Sequence, residues 1–196
     1  MSLYNLAKGL FRFQFRLMGW KIRGLENLPH EGPVILAINH VSLWDPVVAA
    51  SSIPRQVSYM AKEELFSIPL LGPIIRRLGA FPVKRGQGDM SAIRQSLKVL
   101  KDQKVLGLFP EGKRSRTGEL QKGLPGIALL MEKGKATVVP VKVSGTKNLL
   151  TKGWGKIEVI IGSPLTPEML KVPKEVEHHR EWVTKKIMDA LDSLHE

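Results

Sequence analysis

In the octapeptide NHVSLWDP, Asn39 to Pro46, a histidine and an aspartate stand five residues apart directly after the apolar run PVILAI. An imidazole with its ordinary pKa of about 6.5 is the natural general base at neutral pH. A carboxylate turned towards it fixes its tautomer and favours the protonated form that arises during proton transfer. Residues i and i+5 lie about 140° apart on an α-helix, so a continuous helix would hold His40 and Asp45 away from each other. Pro46 resolves this. Proline fits the first helical turn and the residue before it avoids αR, which makes Asp45 the N-cap of a helix PVVAASSI and leaves His40 at a strand end, with VSLW looped between them. The chain has no cysteine and no G-x-S-x-G elbow, and Ser42 between the pair has no evident means of activation. The pair then reads as a base that activates a hydroxyl of the substrate. The same spacing also suits a capping aspartate beside an ordinary strand-end histidine, and spacing alone leaves both readings open.

A second cluster, LGLFPEGKRSRTG, also follows a predicted strand. Gly107, Gly112 and Lys113 match G-x-x-x-x-G-K, but Arg114 stands where a nucleotide-binding loop needs Ser or Thr for magnesium. Pro110 has no N–H to donate and Glu111 would put a carboxylate into the phosphate cradle, so a P-loop is rejected. Arg114 and Arg116 suit bidentate capture of a phosphate, and Glu111 suits a polyol hydroxyl. A solvated loop would carry the same residues. Lys62 in MAKEEL, and Lys84 with Arg85 in GAFPVKR, each follow a predicted strand, and open α/β sheets bind ligands at the carboxyl ends of their strands.

The elements that must position these residues alternate. Predicted strands cover 33–38, 56–61, 80–83, 104–109, 137–143 and 157–162, and predicted helices cover 89–101, 124–133 with Gly134 as its stop, and the chain from about Glu175. This is an α/β pattern, a largely parallel or mixed sheet flanked by helices, in a chain of 196 residues with room for one such domain. Residues 65–79, proline-rich, apolar at one end and dibasic at the other, read either as a broken surface helix or as cover for the sheet.

Residues 1–24 read as a separate amphipathic element ahead of the α/β domain at 25–196. On a helical wheel Asn5, Lys8, Gly9, Arg12, Arg16 and Gly19 share a narrow cationic sector, and Leu3, Leu6, Leu10, Phe11, Phe13, Leu17, Met18 and Trp20 fill the rest. A helix lying in an anionic membrane interface has this form, as does a terminal helix packed on its own core. The longest run free of Asp, Glu, Lys and Arg is 13 residues, Gly32 to Trp44, short of the roughly 18 to 20 a transmembrane helix needs. With Lys8, Arg12 and Arg16 interrupting the N-terminus, no secretory signal is expected. Lys and Arg number 30 against 18 Asp and Glu, a net charge of +12, and residues 76–122 alone hold 12 basic and 4 acidic side chains, so the partner is expected to be anionic. A basic nucleic-acid or anionic-lipid binding module would account for the charge but leaves His40 and Asp45 without a task.

The order NHVSLWD, GAFPVKR, FPEGKRSR, VVPVKVSG, over roughly residues 25 to 145, resembles the four-motif pattern of the glycerolipid acyltransferases, the bacterial 1-acylglycerol-3-phosphate acyltransferases above all. The resemblance implies that His40 and Asp45 are catalytic. It implies that Arg85, Glu111, Gly112 and Arg114 bind the glycerol phosphate, with Lys62 a weaker match, and that Val139 to Val141 help the acyl donor bind. The third motif departs from the usual pattern, with Lys113 where threonine is common, a change that suits a phosphate and bears on acceptor choice. The implied reaction moves a fatty acyl group from acyl-CoA or acyl-carrier protein to the free hydroxyl of lysophosphatidic acid, giving phosphatidic acid. Another lysophospholipid or glycerol 3-phosphate is the rival acceptor. The reaction calls for no metal, no cofactor beyond the thioester co-substrate and no nucleic acid, and it places the enzyme peripherally on the cytoplasmic face of the cell membrane.

Overall fold

The strand VILAI (β2, Val34–Ile38) is apolar at every position because both of its faces are buried. Val34, Leu36 and Ile38 join a cluster with Phe15, Val48 and Ile53, while Ile35 and Ala37 join another with Leu100, Ile127, Leu130 and Ile187. A strand covered on both sides shows no polar alternation, which is the mark of a parallel sheet between helical layers. The computed structural model describes residues 2–84, 89–147, 149 and 156–195.

Around β2 stand β1 (Lys21–Arg23), β3 (Val57–Lys62), β4 (Phe81–Val83), β5 (Val105–Leu108), β6 (Thr137–Ser144) and β7 (Glu158–Ile161). The seven strands form one sheet in the order β1-β7-β6-β2-β5-β3-β4. The pairs β4 with β3, β3 with β5, β5 with β2 and β2 with β6 are parallel, and β7 runs antiparallel to β6 with β1 alongside it. Helices α1 (Leu3–Leu17) and α2 (Asp45–Ser52) cover one face; α4 (Met90–Lys101), α5 (Gly126–Gly134) and α6 (His179–Asp192) cover the other. A 3-10 turn (Glu63–Ser67) and the short α3 (Leu71–Arg77) link β3 to β4. This is a single α/β domain. Its parallel strands all point the ends that carry residues 39–40, 62, 84 and 109–111 to one edge of the sheet.

The boundaries differ from the sequence reading for local reasons. Gly134 does not stop α5; it is its last residue, and Lys135 takes the left-handed position at φ +46°. Glycine is needed there for packing, since a Cβ would stand 2.5 Å from Leu100 Cδ1. The segment 65–79 is a broken helix, split at Leu70, and its apolar side chains Ile68, Leu70, Leu71 and Ile74 are exposed.

Helix α1 packs one edge on the domain and leaves another bare. Phe15 is fully buried, Phe11 meets Trp44 edge-on at 6.3 Å, and the Tyr4 hydroxyl accepts from the Val57 N–H at 3.1 Å. The opposite stripe, Leu3, Leu6, Leu10, Phe13 and Leu17, is exposed. The cations sit differently from the wheel: Lys8 turns inward and donates to the carbonyls of Ile53 and Pro54 just past the end of α2, and Arg12 lies over the Trp20 ring. Burial, with the nearby Arg12 charge second, lowers the Lys8 pKa to about 8. Between that value and the ordinary 10.5 the native state binds fewer protons than the unfolded chain, so stability rises with pH across this window. Denaturant melts of wild type and Lys8→Met at pH 7.5 to 10 will show that rise in wild type and lose Lys8's share of it in the variant.

Candidate active site

His40 follows the central strand, and its main chain is clamped from both sides by the loop after β5. Its N–H donates to Glu111 Oε1 at 2.8 Å, and its carbonyl accepts from the Ser115 N–H at 2.7 Å. Asn39 beside it bonds β6 twice, accepting from the Val143 N–H at 2.7 Å and donating to the Val143 carbonyl at 2.9 Å. The imidazole stacks on Phe109 with centroids 4.0 Å apart, and Phe109 in turn stacks on Tyr59 at 6.0 Å. Gly107 makes room for that stack, because a Cβ there would stand 2.1 Å from Tyr59 Cε1. Burial, then the nearby Tyr4 and Asp45, push the Tyr59 phenol well above its usual range, so it stays neutral beneath the site.

Asp45 reaches His40, with Oδ2 3.0 Å from Nδ1. It does so by a different route from the capping geometry expected. Asp45 is the first helical residue of α2, Trp44 holds the cap position with no side-chain cap bond, and the carboxylate turns back over the preceding loop. There Oδ2 also accepts from the N–H groups of Val41 and Ser42, each at 2.7 Å. The bonds draw residues 40–45 into a tight loop around one carboxylate oxygen, which a forward-facing cap would not do. The carboxylate is fully buried. With Nδ1 committed to Asp45, Nε2 is the nitrogen left to take a proton.

The other carboxylate oxygen has a partner that sequence reasoning missed. The Thr146 hydroxyl donates to Asp45 Oδ1 at 2.5 Å, from a side chain only 1% exposed. Thr146 lies two residues past β6, and the 101 residues separating it from Asp45 leave no local signal; only the pairing of β2 with β6 brings them together. Thr146 thus fixes Asp45 and, through it, the orientation of His40. Thr146→Val removes one hydrogen bond to a buried charge, worth about tenfold in kcat. Steady-state kinetics will show that loss with KM for the acceptor unchanged, and Thr146→Ser will restore most of it.

Glu111, expected at a ligand hydroxyl, is 4% exposed and turned into the protein. Beyond the His40 N–H it accepts from the Gln121 N–H at 3.0 Å and from Gln121 Nε2 at 3.3 Å. It therefore joins the loop after β5 to the histidine and to Gln121, five residues ahead of α5. Gly112 follows at φ +71°, where a Cβ would also press within 2.6 Å of Leu124 Cδ1. Lys113 and Arg114 are exposed on this loop. Lys62 ends β3 at the same sheet edge and pairs with Glu64 at 2.8 Å. Arg85 lies outside the described residues. Val139 and Val141 are fully buried within β6 and pair with Leu36 and Ile38, so they present no surface to a donor.

A cavity of about 300 Å³ opens beside His40. Met60, Val83, Ile93, Leu108, Ile127 and Leu130 form its apolar walls, and Lys84 and Gly112 line it as well. Larger hollows, one of about 580 Å³ between α5 and α6 and one of about 990 Å³ between residues 122–125 and α6, contain neither His40 nor Asp45. The smaller cavity is the one that His40 lines. A buried, oriented imidazole beside an apolar slot, with cations on the surrounding loops, suits proton abstraction from a hydroxyl next to a long aliphatic group.

Comparison with known proteins bears on this arrangement. Residues 19–144 match the Acyltransferase family model. A 1-acyl-sn-glycerol-3-phosphate acyltransferase of Bacillus subtilis (strain 168) is 37% identical over 151 residues, covering 75% of this chain and 74% of its own. One from Streptococcus pneumoniae (strain ATCC BAA-255 / R6) is 31% identical over 192 residues, covering 92% of this chain and 70% of its own. The crystal structure of the 1-acyl-sn-glycerophosphate (LPA) acyltransferase PlsC from Thermotoga maritima aligns with a TM-score of 0.73 over 98% of this chain and 80% of that one, at 24% identity, a likeness of fold.

Proposed function

We propose, for a chain that belongs to the acyltransferase family, transfer of a fatty acyl group from an acyl thioester to the free hydroxyl of 1-acyl-glycerol 3-phosphate, giving phosphatidic acid for phospholipid synthesis. The observation that carries this reading is the buried His40–Asp45 pair at 3.0 Å, set beside an apolar cavity. His40 Nε2 takes the proton of the acceptor hydroxyl as its oxygen attacks the thioester carbonyl carbon. The tetrahedral intermediate collapses with cleavage of the C–S bond, and the departing thiolate takes the proton back from the imidazolium. The buried Asp45 carboxylate stabilises that imidazolium while it exists. No protein nucleophile is needed, in keeping with a Ser42 hydroxyl that accepts from the Trp44 N–H at 3.2 Å and is not aligned by a base among the described hydrogen bonds.

Arg85, Arg114, Lys62 and the main chain at Gly112 would hold the acceptor phosphate, with Lys113 adding charge. Glu111 would position His40 and this loop. The apolar cavity would take the acyl chain of the donor, acyl-CoA or acyl-carrier protein. Lipid substrates and a thioester donor would place the enzyme at the cytoplasmic face of the cell membrane, where the bare stripe of α1, Leu3 to Leu17, would lie in the interface. Among the described residues no helix is long and apolar enough to cross a membrane.

The test is release of free thiol from acyl-CoA, and separately from acyl-carrier protein, with lysophosphatidic acid, other lysophospholipids or glycerol 3-phosphate as acceptor. Turnover that depends on lysophosphatidic acid supports the reading and names the donor. Turnover with a different acceptor keeps the reaction and replaces the substrate, and no turnover with any pair rejects it.

A further inference from the structure

The sheet edge that carries His40 also carries most of the exposed aliphatic side chains outside α1. Leu43 follows β2 and is 69% exposed, Leu124 packs its Cδ1 against Gly112 after β5 and is 55% exposed, and the lip between β3 and β4 presents Ile68, Leu70, Leu71 and Ile74. Leu70 is the extreme case at 81%. It sits at φ +66°, and the N–H of Leu71 donates across it to the Pro69 carbonyl at 2.8 Å, a tight turn that a leucine adopts only at a cost in strain.

Charge sets the occupant. No Asp or Glu occurs between Glu64 and Asp89, and the last turn of α3 carries Arg76 and Arg77. The Arg76 guanidinium lies 4.7 Å over the Phe66 ring, which anchors the cationic end of the lip on its apolar body. An aliphatic tip followed by a basic turn matches an anionic lipid surface, apolar residues inward and cations at headgroup level. An acidic protein partner would call for cations at the tip, where leucines stand. Leu43 adjoins α1, because its neighbour Trp44 meets Phe11 of that helix edge-on.

We propose that the Ile68–Ile74 lip is a second bilayer-contact element, which seats the opening of the site against an anionic membrane so that the acceptor hydroxyl reaches His40 without leaving the lipid layer. This rests on the lipid-acceptor reading above. It adds a contact that α1 alone does not supply.

Because the chain contains no cysteine, single labels can be placed at will. Leu70→Cys, Phe13→Cys on α1 and Lys133→Cys in the last turn of α5 each carry a bimane probe. Each is mixed with phosphatidylglycerol–phosphatidylethanolamine vesicles containing spin-labelled acyl chains. Quenching at positions 70 and 13, but not at 133, is the expected result. Quenching at 13 with position 70 behaving like 133 overturns the lip while leaving the interfacial helix in place. Quenching at neither 13 nor 70 removes the membrane reading itself, and the lip with it. Protection of position 70 by acyl-carrier protein rather than by vesicles overturns the proposal in favour of a protein partner. In parallel, Leu70→Ser with Leu71→Ser should weaken vesicle partitioning by about tenfold and raise KM for vesicle-borne acceptor. Turnover of a short-chain, water-soluble acceptor should stay at the wild-type value; an equal loss on both acceptors would reject the lip.

Discussion

His40→Ala lowers thiol release from the acyl donor by about 10³-fold or more, the contribution of a positioned general base, while the protein folds. Folding is protected because the main chain, not the ring, fixes this residue. The His40 N–H to Glu111 and the Ser115 N–H to the His40 carbonyl both survive the substitution. Asp45 loses one of its four donors and keeps Val41, Ser42 and Thr146. A void opens above Phe109, where the ring had stacked at 4.0 Å, and its cost in stability is on the order of 1 to 2 kcal/mol. Far-ultraviolet circular dichroism and a melting curve establish the fold, and thiol release establishes the loss. Ser42→Ala is the companion. A route through an acyl-serine would abolish turnover in that variant, whereas direct attack by the acceptor leaves it within a few-fold of wild type. A His40→Ala protein as active as wild type would make the histidine structural and end the mechanism.

The sequence made the buried strands plain because their physics is local. β2, β3, β5, β6 and β7 are short apolar runs bounded by turn residues, and their observed limits fall within one residue of the predicted ones at each end. β1 was not legible. Its three residues, Lys21–Arg23, alternate exposed and half-buried, carry no apolar run, and are held by pairing with β7 more than 130 positions away. Its residues lie within the stretch, 1–24, that the wheel assigns to a helix. The same wheel places Lys8 on an outer cationic sector, yet the end of α2 offers it two carbonyls, and that contact cannot be seen from residues 1–24 alone.

At the site, residue types were legible and their duties less so. The spacing of His40 and Asp45 allows a meeting, and Pro46 suggests a helix start, but not that the carboxylate would bend backward to gather two main-chain N–H groups. Glu111 looks like a ligand for a hydroxyl because its neighbours are charged and solvated. Tertiary packing buries it instead and turns both oxygens to N–H donors. Thr146 carried no signal at all, since a threonine after a strand is ordinary until the partner strand is known. Local pattern therefore finds groups able to do chemistry, and the long-range sheet register decides which of them hold the others in place.

Asp45→Asn separates the carboxylate's two duties, geometry and charge, and should lower kcat by about 10² to 10³-fold with the fold retained. Three donors converge on Oδ2, namely His40 Nδ1–H and the N–H groups of Val41 and Ser42, while only the Thr146 hydroxyl meets Oδ1. An asparagine must therefore place its carbonyl oxygen at the Oδ2 position, because an NH₂ there would face three donors. Its NH₂ then points at Thr146, whose hydroxyl can rotate to accept. Loop shape and imidazole tautomer persist, and the buried negative charge that would stabilise the imidazolium is gone. Thermal stability should stay close to wild type and KM for the acceptor should hardly change, so the loss is confined to turnover. Asp45→Ala strips the acceptors as well as the charge, leaving the buried Ser42 N–H and Thr146 hydroxyl and the half-buried Val41 N–H without this partner, at roughly 1 to 3 kcal/mol for each buried group. It should therefore lose both stability and activity. Equal kinetics in Asp45→Asn and wild type would mean that Asp45 serves only to fold the loop, and proton transfer would then owe nothing to its charge.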